Sequence, residues 1–236
     1  MSDKTSVFNE ADVRAFYRLL NHKYLTELRF LKRGYFPAYA IVTNEDDFLK
    51  KCKVWNGKRN IYAGLRDRRE GMRKCANFGD IIGVQLLTLD IDPRRPAEIP
   101  STKEELERAL EVGEVIRNWF ESQGYIPPIR AMTGNGVCLY FCIPFFEVND
   151  DNRDEITRLI ERFEQNCREK FKQILKDKDS TIDSMYDLPR IGKVIGTLSV
   201  KGEHSEERPW RLSYFIDPPT RINDEKLLKS LLRGTL

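Results

Sequence analysis

Apolar and polar positions alternate along this chain in ways that predict both helices and strands. Near the N-terminus, apolar side chains such as Val13, Phe16 and Leu20 recur at helical spacing. Residues 60–64 (NIYAG) then predict a short strand that runs into a basic loop. The pattern therefore predicts a helical N-terminal portion over about residues 1–59, followed by a segment of different character.

From residue 82 onward the predicted order of elements is β-α-β-β-α-β-β, with a short closing helix. The clearest helix spans 101–123, because Thr102 and Glu105 have the spacing of a capping box and Gly124 ends the apolar stripe. The turn at 133–136 (TGNG) predicts a hairpin. The predicted strands are 82–92, 129–132, 137–143, 194–201 and 210–216, and the other predicted helices are 150–176 and 223–233.

Composition narrows the class of protein. The 236 residues are 40% hydrophobic and 33% charged, which is typical of a soluble globular protein. No run approaches the roughly 20 apolar residues of a membrane helix, and the N-terminus lacks the basic start and apolar stretch of a secretion signal. A cytoplasmic protein without a membrane partner is expected. The five cysteines are irregularly spaced, which favours reduced thiols over disulfides or a zinc site.

The sharpest chemical feature is the end of the first long strand, residues 87–92 (LTLDID). Alternate side chains of a strand point to the same face, so Asp90 and Asp92 project together while Leu89 and Ile91 face the core. Their Cα atoms should lie about 6.6 Å apart at roughly 3.3 Å per residue. Paired carboxylates without nearby His or Cys favour Mg²⁺ or Mn²⁺. The alternative is a harmless strand end before Pro93.

Two further segments carry candidate site residues. In 133–141 (TGNGVCLYF), glycines permit a tight turn and close approach of a ligand to the backbone, although an ordinary hairpin has the same signature. In 182–201, Asp183 is followed by Arg190, Lys193 and Lys201. An acid followed by bases suits a metal-bound triphosphate, since Arg grips phosphate bidentately and Lys adds a point charge. Read alone, this segment is a polar connector.

Positive charge concentrates between residues 58 and 74. Seven basic residues face only two acidic ones there, so the segment carries a net charge of about +5, against +3 for the whole chain. Such a patch predicts contacts with nucleic-acid phosphates, and a solvated loop is the alternative. The candidate nucleic-acid-binding residues are Arg66, Arg68, Arg69 and Arg73.

The order and spacing of LTLDID, TGNGVC and IDSMYDLPR…GTLSVK resemble the archaeo-eukaryotic primase superfamily, in particular the prim-pol domains of plasmid, viral and CRISPR-associated proteins. The resemblance covers about residues 60–216. It implies an α+β fold with an RRM-like antiparallel-sheet catalytic core and an additional N-terminal α/β portion. A single domain over 1–236 is expected, with a C-terminal tail or helix over 217–236.

By that resemblance the chain is a DNA primase or polymerase that transfers nucleotides from (d)NTPs to a primer on a DNA template. Asp90, Asp92 and Asp183 would be catalytic and would bind two divalent ions, Mg²⁺ or Mn²⁺. Asp187 is the rival to Asp183, and Lys193 is a weaker candidate than its neighbours. The residues implied to bind the nucleotide are Thr133, Gly134, Asn135, Gly136, Cys138, Arg190 and Lys201.

The chain departs from the family pattern at Cys138, where the family usually carries His. A thiol has no positively charged form and donates a poor hydrogen bond. The alternative hypothesis is therefore a nucleotide- or nucleic-acid-binding module with weak or lost catalysis. A rolling-circle nicking protein lacks support, because no paired-His motif occurs. No P-loop is present either, so a helicase or CRISPR module would lie outside this chain.

Overall fold

A computed structural model describes residues 8–234 of the chain. The predicted N-terminal portion (1–59) and C-terminal tail (217–236) therefore lie partly outside the described residues, at 1–7 and 235–236. The helix Lys103–Ser122 begins at the predicted capping box, in which the Thr102 hydroxyl accepts from the Glu105 amide and the Glu105 carboxylate accepts from the Thr102 amide. The helices are α1 (Glu10–Leu20), α2 (Glu45–Trp55), α3 (Lys103–Ser122), α4 (Arg153–Lys170), α5 (Lys172–Asp177) and α6 (Glu225–Arg233), with a 3₁₀ turn at Phe78–Asp80.

Strands make up the rest of the regular secondary structure of the described residues. They are β1 (Thr26–Leu31), β2 (Ala38–Val42), β3 (Asn60–Gly64), β4 (Asp67–Arg68), β5 (Ile81–Pro93), β6 (Ile129–Met132), β7 (Val137–Glu147), β8 (Ser180–Ile182), β9 (Ile191–Lys193), β10 (Leu198–Ser199), β11 (Arg211–Leu212) and β12 (Tyr214–Phe215). One sheet has the order β2-β1-β3-β9, and a larger one has the order β12-β6-β7-β5-β4 with β8 also paired to β5. The pairings are antiparallel. The predicted α+β fold is confirmed.

Strand β7 separates two apolar cores, because its successive side chains point to opposite faces of the larger sheet. Leu139 and Phe141 pack with α3, α4 and α6 in one core. Cys138 and Tyr140 pack with α1, α2 and the smaller sheet in the other. Both faces of the strand are therefore buried, and the space between the two sheets is where a cavity forms.

The prediction of a helical N-terminal portion is wrong for part of its length. Strands β1 and β2 occupy residues that were predicted as helical, between α1 and α2. Strand β1 is held by pairing with β3, for example Leu28 with Ala63, about 35 residues later in the chain. The spacing of apolar residues in a short segment does not show which distant strand will pair with it. The helical prediction for α1 was therefore extended into residues that form strands.

Three other predicted elements also differ. The helix at 150–176 is divided at Phe171, which is buried against Trp119. The strands at 194–201 and 210–216 are reduced to the short ladders of β10, β11 and β12. A turn interrupts the first of them at Gly196, which has a φ of 91° and accepts a hydrogen bond from the Asn9 amide. Strand β8 was not predicted, because three residues give no periodicity.

No helix within residues 8–234 is both long enough and apolar enough to span a bilayer.

Candidate active site

The first two acidic residues lie at the end of β5, on the central part of the larger sheet. Asp90 pairs with Cys138 of β7 across the ladder. Asp92 pairs with Thr181 of β8 on the other side of β5. Asp90 and Asp92 both line a cavity of about 320 Å³ between the two sheets, whose opposite wall includes Tyr62 of β3. The expected projection of both carboxylates to one side is confirmed.

Strand β8 brings the third carboxylate to this cavity. The chain leaves β8 at Asp183, and the Asp183 amide donates to the Asp90 carbonyl oxygen at 2.8 Å. The Asp183 side chain lines the cavity, whereas Asp187 is not among its lining residues and forms an ion pair with Arg190. The geometry thus supports Asp183 over Asp187 as the third acidic ligand.

Negative charge in this cavity lacks full compensation. Burial raises the pKa of Asp90 well above its usual value, and the neighbouring Asp92 and Asp183 raise it further while Lys201 opposes them. The Oδ1 atom of Asp90 is buried and has no hydrogen-bond partner. Partial burial and Asp92 also raise the pKa of Asp183. Unpartnered carboxylate oxygens of this kind fit a divalent cation with oxygen ligands.

Arg95 partly fills that electrostatic role and was missed by the sequence analysis. Its Nη2 and Nη1 atoms lie 3.2 and 3.3 Å from Oδ2 of Asp92, and its Nε donates to the Ile99 carbonyl at 3.0 Å. Only 5% of the Arg95 side chain is exposed. An arginine three residues after an acidic strand end, beyond Pro93, is the only signal that the sequence offers for this contact.

The described residues show no closed cluster of three metal ligands. Within 8–234, no three His, Cys, Asp or Glu side chains are grouped so that they could hold a metal ion. Asp92 faces Arg95 instead of Asp90 and Asp183. The donor type, an unpartnered buried oxygen with acidic neighbours, suits Mg²⁺ or Mn²⁺.

The predicted hairpin turn lies beside the acidic residues, but its parts have different positions. Thr133 and Asn135 line the cavity. The Asn135 side chain accepts from the Ser101 amide and donates to the Ser199 hydroxyl, so it fixes two neighbouring segments. Gly134 and Gly136 are buried and are not among the lining residues. The expected role of the glycine backbone in binding phosphate is therefore not supported by this geometry.

Cationic side chains line the same cavity as the acidic residues. Arg190 and Lys201, which were predicted to bind the nucleotide, are both among its lining residues. Lys193 lies there too, and burial lowers its pKa to about 7. Its ammonium group donates to the Leu198 carbonyl at 3.0 Å. Arg190 is engaged by Asp187, which leaves Lys201 as the lysine whose charge acts on both Asp90 and Asp183.

Cys138 lies at the base of the cavity, directly across the ladder from Asp90. Burial raises the pKa of its thiol well above the usual value, and the Asp90 carboxylate raises it further. The thiol is therefore neutral and supplies no positive charge to a phosphate. The position at which the resemblance implies a His therefore carries no cation.

The prediction that Arg66 and Arg68 contact nucleic acid is wrong. Both side chains are fully buried. Arg66 donates to the Leu86 carbonyl at 2.8 Å, and Arg68 forms an ion pair with Glu27 at 3.0 Å. The number of basic residues in a segment does not show which of them are buried. The path of the chain at β4 directs these two side chains inward. Arg69 and Arg73 are exposed and remain candidates.

Helix α4 holds the segment that carries Asp183 from behind. The Arg168 guanidinium donates to the Ile182 carbonyl at 3.0 Å and to the Asp183 carbonyl at 3.2 Å. It also pairs with Glu164, one helical turn earlier, at 3.0 Å. The Glu164 carboxylate in turn accepts from the Met185 amide at 2.9 Å. These contacts brace the backbone on both sides of Asp183.

Comparison with solved structures identifies the fold. A crystal structure of primase RepB′ superposes with a TM-score of 0.51 at 10% identity, covering 94% of this chain and 62% of that one. The catalytic domain of primase RepB′ in complex with initiator DNA gives 0.49 at 10% identity, covering 94% and 93%. The polymerase domain of Mycobacterium tuberculosis Ligase D in complex with DNA gives 0.48 at 12% identity, covering 96% and 88%.

Sequence comparisons, by contrast, find no match. No protein-family model matches the chain. No curated protein matches it at a significant level. The chain spans about 62% of the length of the primase RepB′ structure that it resembles. It has the fold of primase RepB′, in agreement with the fold that the resemblance implied.

Proposed function

We propose that this chain is a primase-polymerase: a nucleotidyltransferase that adds nucleotides to a primer 3′-hydroxyl or an initiating nucleotide on a DNA template. The observation that carries the proposal is the convergence of three acidic side chains, Asp90, Asp92 and Asp183, on one cavity that Arg190 and Lys201 also line. The fold supports the same conclusion, since a primase has it.

The three carboxylates would hold two divalent ions, Mg²⁺ or Mn²⁺. When bound, these ions lower the pKa of the attacking hydroxyl and stabilise the charge of the triphosphate and of the pyrophosphate leaving group. Asp92 must turn away from Arg95 to take part, so Arg95 becomes available to the triphosphate. Arg190 must likewise leave Asp187 to reach a phosphate. Lys201 and Thr133 contribute to positioning, which is most of what a protein adds to such a reaction.

Primer extension tests the proposal directly. A labelled primer on a DNA template is incubated with the wild-type chain and either Mg²⁺ or Mn²⁺, beside the double variant Asp90→Ala plus Asp92→Ala. We expect incorporation by the wild type and none by the double variant. Absence of incorporation by the wild type with both metals would overturn the proposal. Nucleotide binding in that case would favour a binding module with lost catalysis, which the neutral Cys138 thiol also favours.

Cys138→Ala is expected to retain incorporation within about tenfold of the wild type. The neutral, buried thiol offers at most one weak hydrogen bond, which is worth roughly 1 kcal/mol. The measurement is the primer-extension rate, with Cys142→Ala on the same face of β7 as the matched control. A loss as large as that of Asp90→Ala would show that Cys138 acts directly on the substrate.

Arg168→Ala is expected to raise the Mn²⁺ concentration needed for half-maximal incorporation by about tenfold or more, because groups that orient a metal ligand contribute this much to affinity. The variant removes the two hydrogen bonds to the Ile182 and Asp183 carbonyls. Arg162→Ala, an exposed site on the same helix, is the control. If both variants require the same Mn²⁺ concentration as the wild type, the brace does not position Asp183.

A further inference from the structure

A second cavity lies beside the catalytic one and shares a residue with it. Its volume is about 650 Å³. Its walls are formed by the turn between β1 and β2 (Lys32–Gly34), by Glu98–Pro100 and by Val200–Ser205 with Arg208. Lys201 lines both cavities. A chain-like ligand could therefore occupy the two cavities together, passing this lysine.

The second cavity has an excess of cationic side chains. Arg208 is neutralised by an ion pair with Glu105 at 2.8 Å. Lys32 and Arg33 are exposed at the turn between β1 and β2. Both line the second cavity, and Lys201 lines this cavity and the catalytic one. The cationic lining residues are Lys32, Arg33, Lys201 and Arg208, and the acidic ones are Glu98 and Glu203.

The same turn carries two exposed aromatic rings. Phe36 is 94% exposed and Tyr35 is 60% exposed. The turn is nevertheless anchored, because Arg59 donates to the Phe36 carbonyl at 2.6 Å and its guanidinium lies 5.6 Å from the centre of the Tyr35 ring. Lys32 lies over that ring as well, at 5.5 Å. Phe36 thus presents its ring to solvent from a backbone that is held in place.

We propose that the turn Lys32–Phe36 and the second cavity bind an unpaired stretch of nucleic acid that leads into the catalytic cavity. A base stacks on Phe36, and phosphates contact Lys32 and Arg33. Cationic grooves with aromatic platforms bind single strands, since every base has a face that can stack, whereas a duplex keeps its base faces covered. The identity of this strand as the template rests on the proposed function.

Binding of a fluorescein-labelled oligothymidylate of about 20 nucleotides, followed by anisotropy without metal or nucleotide, tests the stacking contact. Phe36→Ala is expected to weaken binding by about fivefold or more, because one stacked base contributes that much. The matched control is Phe145→Ala, which is 47% exposed near the far end of β7. The control should bind as the wild type does.

The phosphate contacts are tested by the dependence of the same binding on salt. The double variant Lys32→Ala plus Arg33→Ala is expected to reduce the slope of log K against log[salt] by about 1.4, since each contact on a single strand contributes about 0.7. Lys229→Ala plus Arg233→Ala removes the same charge from the exposed side of α6, on the other face of the larger sheet. Its slope should equal that of the wild type.

Two outcomes would overturn this inference. One is that Phe36→Ala binds the oligonucleotide as tightly as Phe145→Ala does. The other is that both charge variants change the salt slope equally, which indicates non-specific attraction. A wild type that extends no primer but binds the oligonucleotide through Phe36 would contradict the proposed function and leave this inference standing. If the wild type extends primers normally and neither Phe36→Ala nor the Lys32–Arg33 double variant alters oligonucleotide binding, this inference is contradicted and the proposed function stands.

Discussion

Asp90→Asn should abolish nucleotide incorporation and, in the same protein, raise thermal stability in the absence of metal. The loss follows because a divalent ion stabilises the transition state by several kcal/mol, which corresponds to about a thousandfold in rate. The gain follows because the buried Oδ1 of Asp90 has no partner and the carboxylate is repelled by Asp92 and Asp183. Asparagine has the same shape without the charge.

The stability gain should be on the order of 1–2 kcal/mol, as for other destabilised functional groups. For a chain of this size that is a rise in Tm of about 2–8 °C. The measurements are primer extension and thermal unfolding with EDTA, and Asp151→Asn is the control because Asp151 is exposed and does not line the cavity. A variant that is both less stable and still active would refute the assignment of Asp90 as an uncompensated metal ligand.

Gly136→Ala is expected to lower incorporation by about a hundredfold and to destabilise the protein by about 1–3 kcal/mol. A Cβ atom at this position would lie 2.3 Å from Oδ1 of Asp92 and 2.3 Å from the Ile91 carbonyl oxygen. The carbonyl belongs to β5, so the strand or the turn must move. Either movement displaces Asp92 from its position in the cavity.

The control for this substitution is Gly79→Ala. A Cβ atom at Gly79 would meet only the Asn77 side chain, at an ordinary distance of 3.6 Å. Primer-extension rates and urea unfolding of the two variants are compared with the wild type. Equal behaviour of Gly136→Ala and Gly79→Ala would show that close packing of the hairpin turn against Asp92 is unimportant. The sequence suggested a phosphate cradle here, whereas the packing suggests that Gly136 leaves room for a carboxylate.

Prediction from sequence succeeded where the signal was local and long. Strand β5 was predicted within one residue at each end, and α3 began at its predicted capping box. The alternation of β7 was confirmed, since Cys138 and Leu139 belong to opposite cores. Such elements are specified by side-chain period and by hydrogen bonds within a few residues, which are visible in one sequence.

Prediction failed where the outcome depended on distant partners. Arg66 and Arg68 looked like a solvated basic loop, but they are buried against β5 and Glu27. Strand β1 was predicted as part of a helical segment, but pairing with β2 and β3 makes it a strand. Arg95 was not predicted as a site residue, because its contact with Asp92 depends on the direction that the chain takes after Pro93.

The sequence by itself determined the pair Asp90 and Asp92 and the face they share, because a two-residue period leaves no other choice for a strand. Only the tertiary structure decided which third carboxylate joins them. The pairing of β8 with β5 brings Asp183 to the cavity and leaves Asp187 with Arg190. Tertiary structure also decided which cations face solvent, because burial depends on packing between elements far apart in the chain and not on local charge.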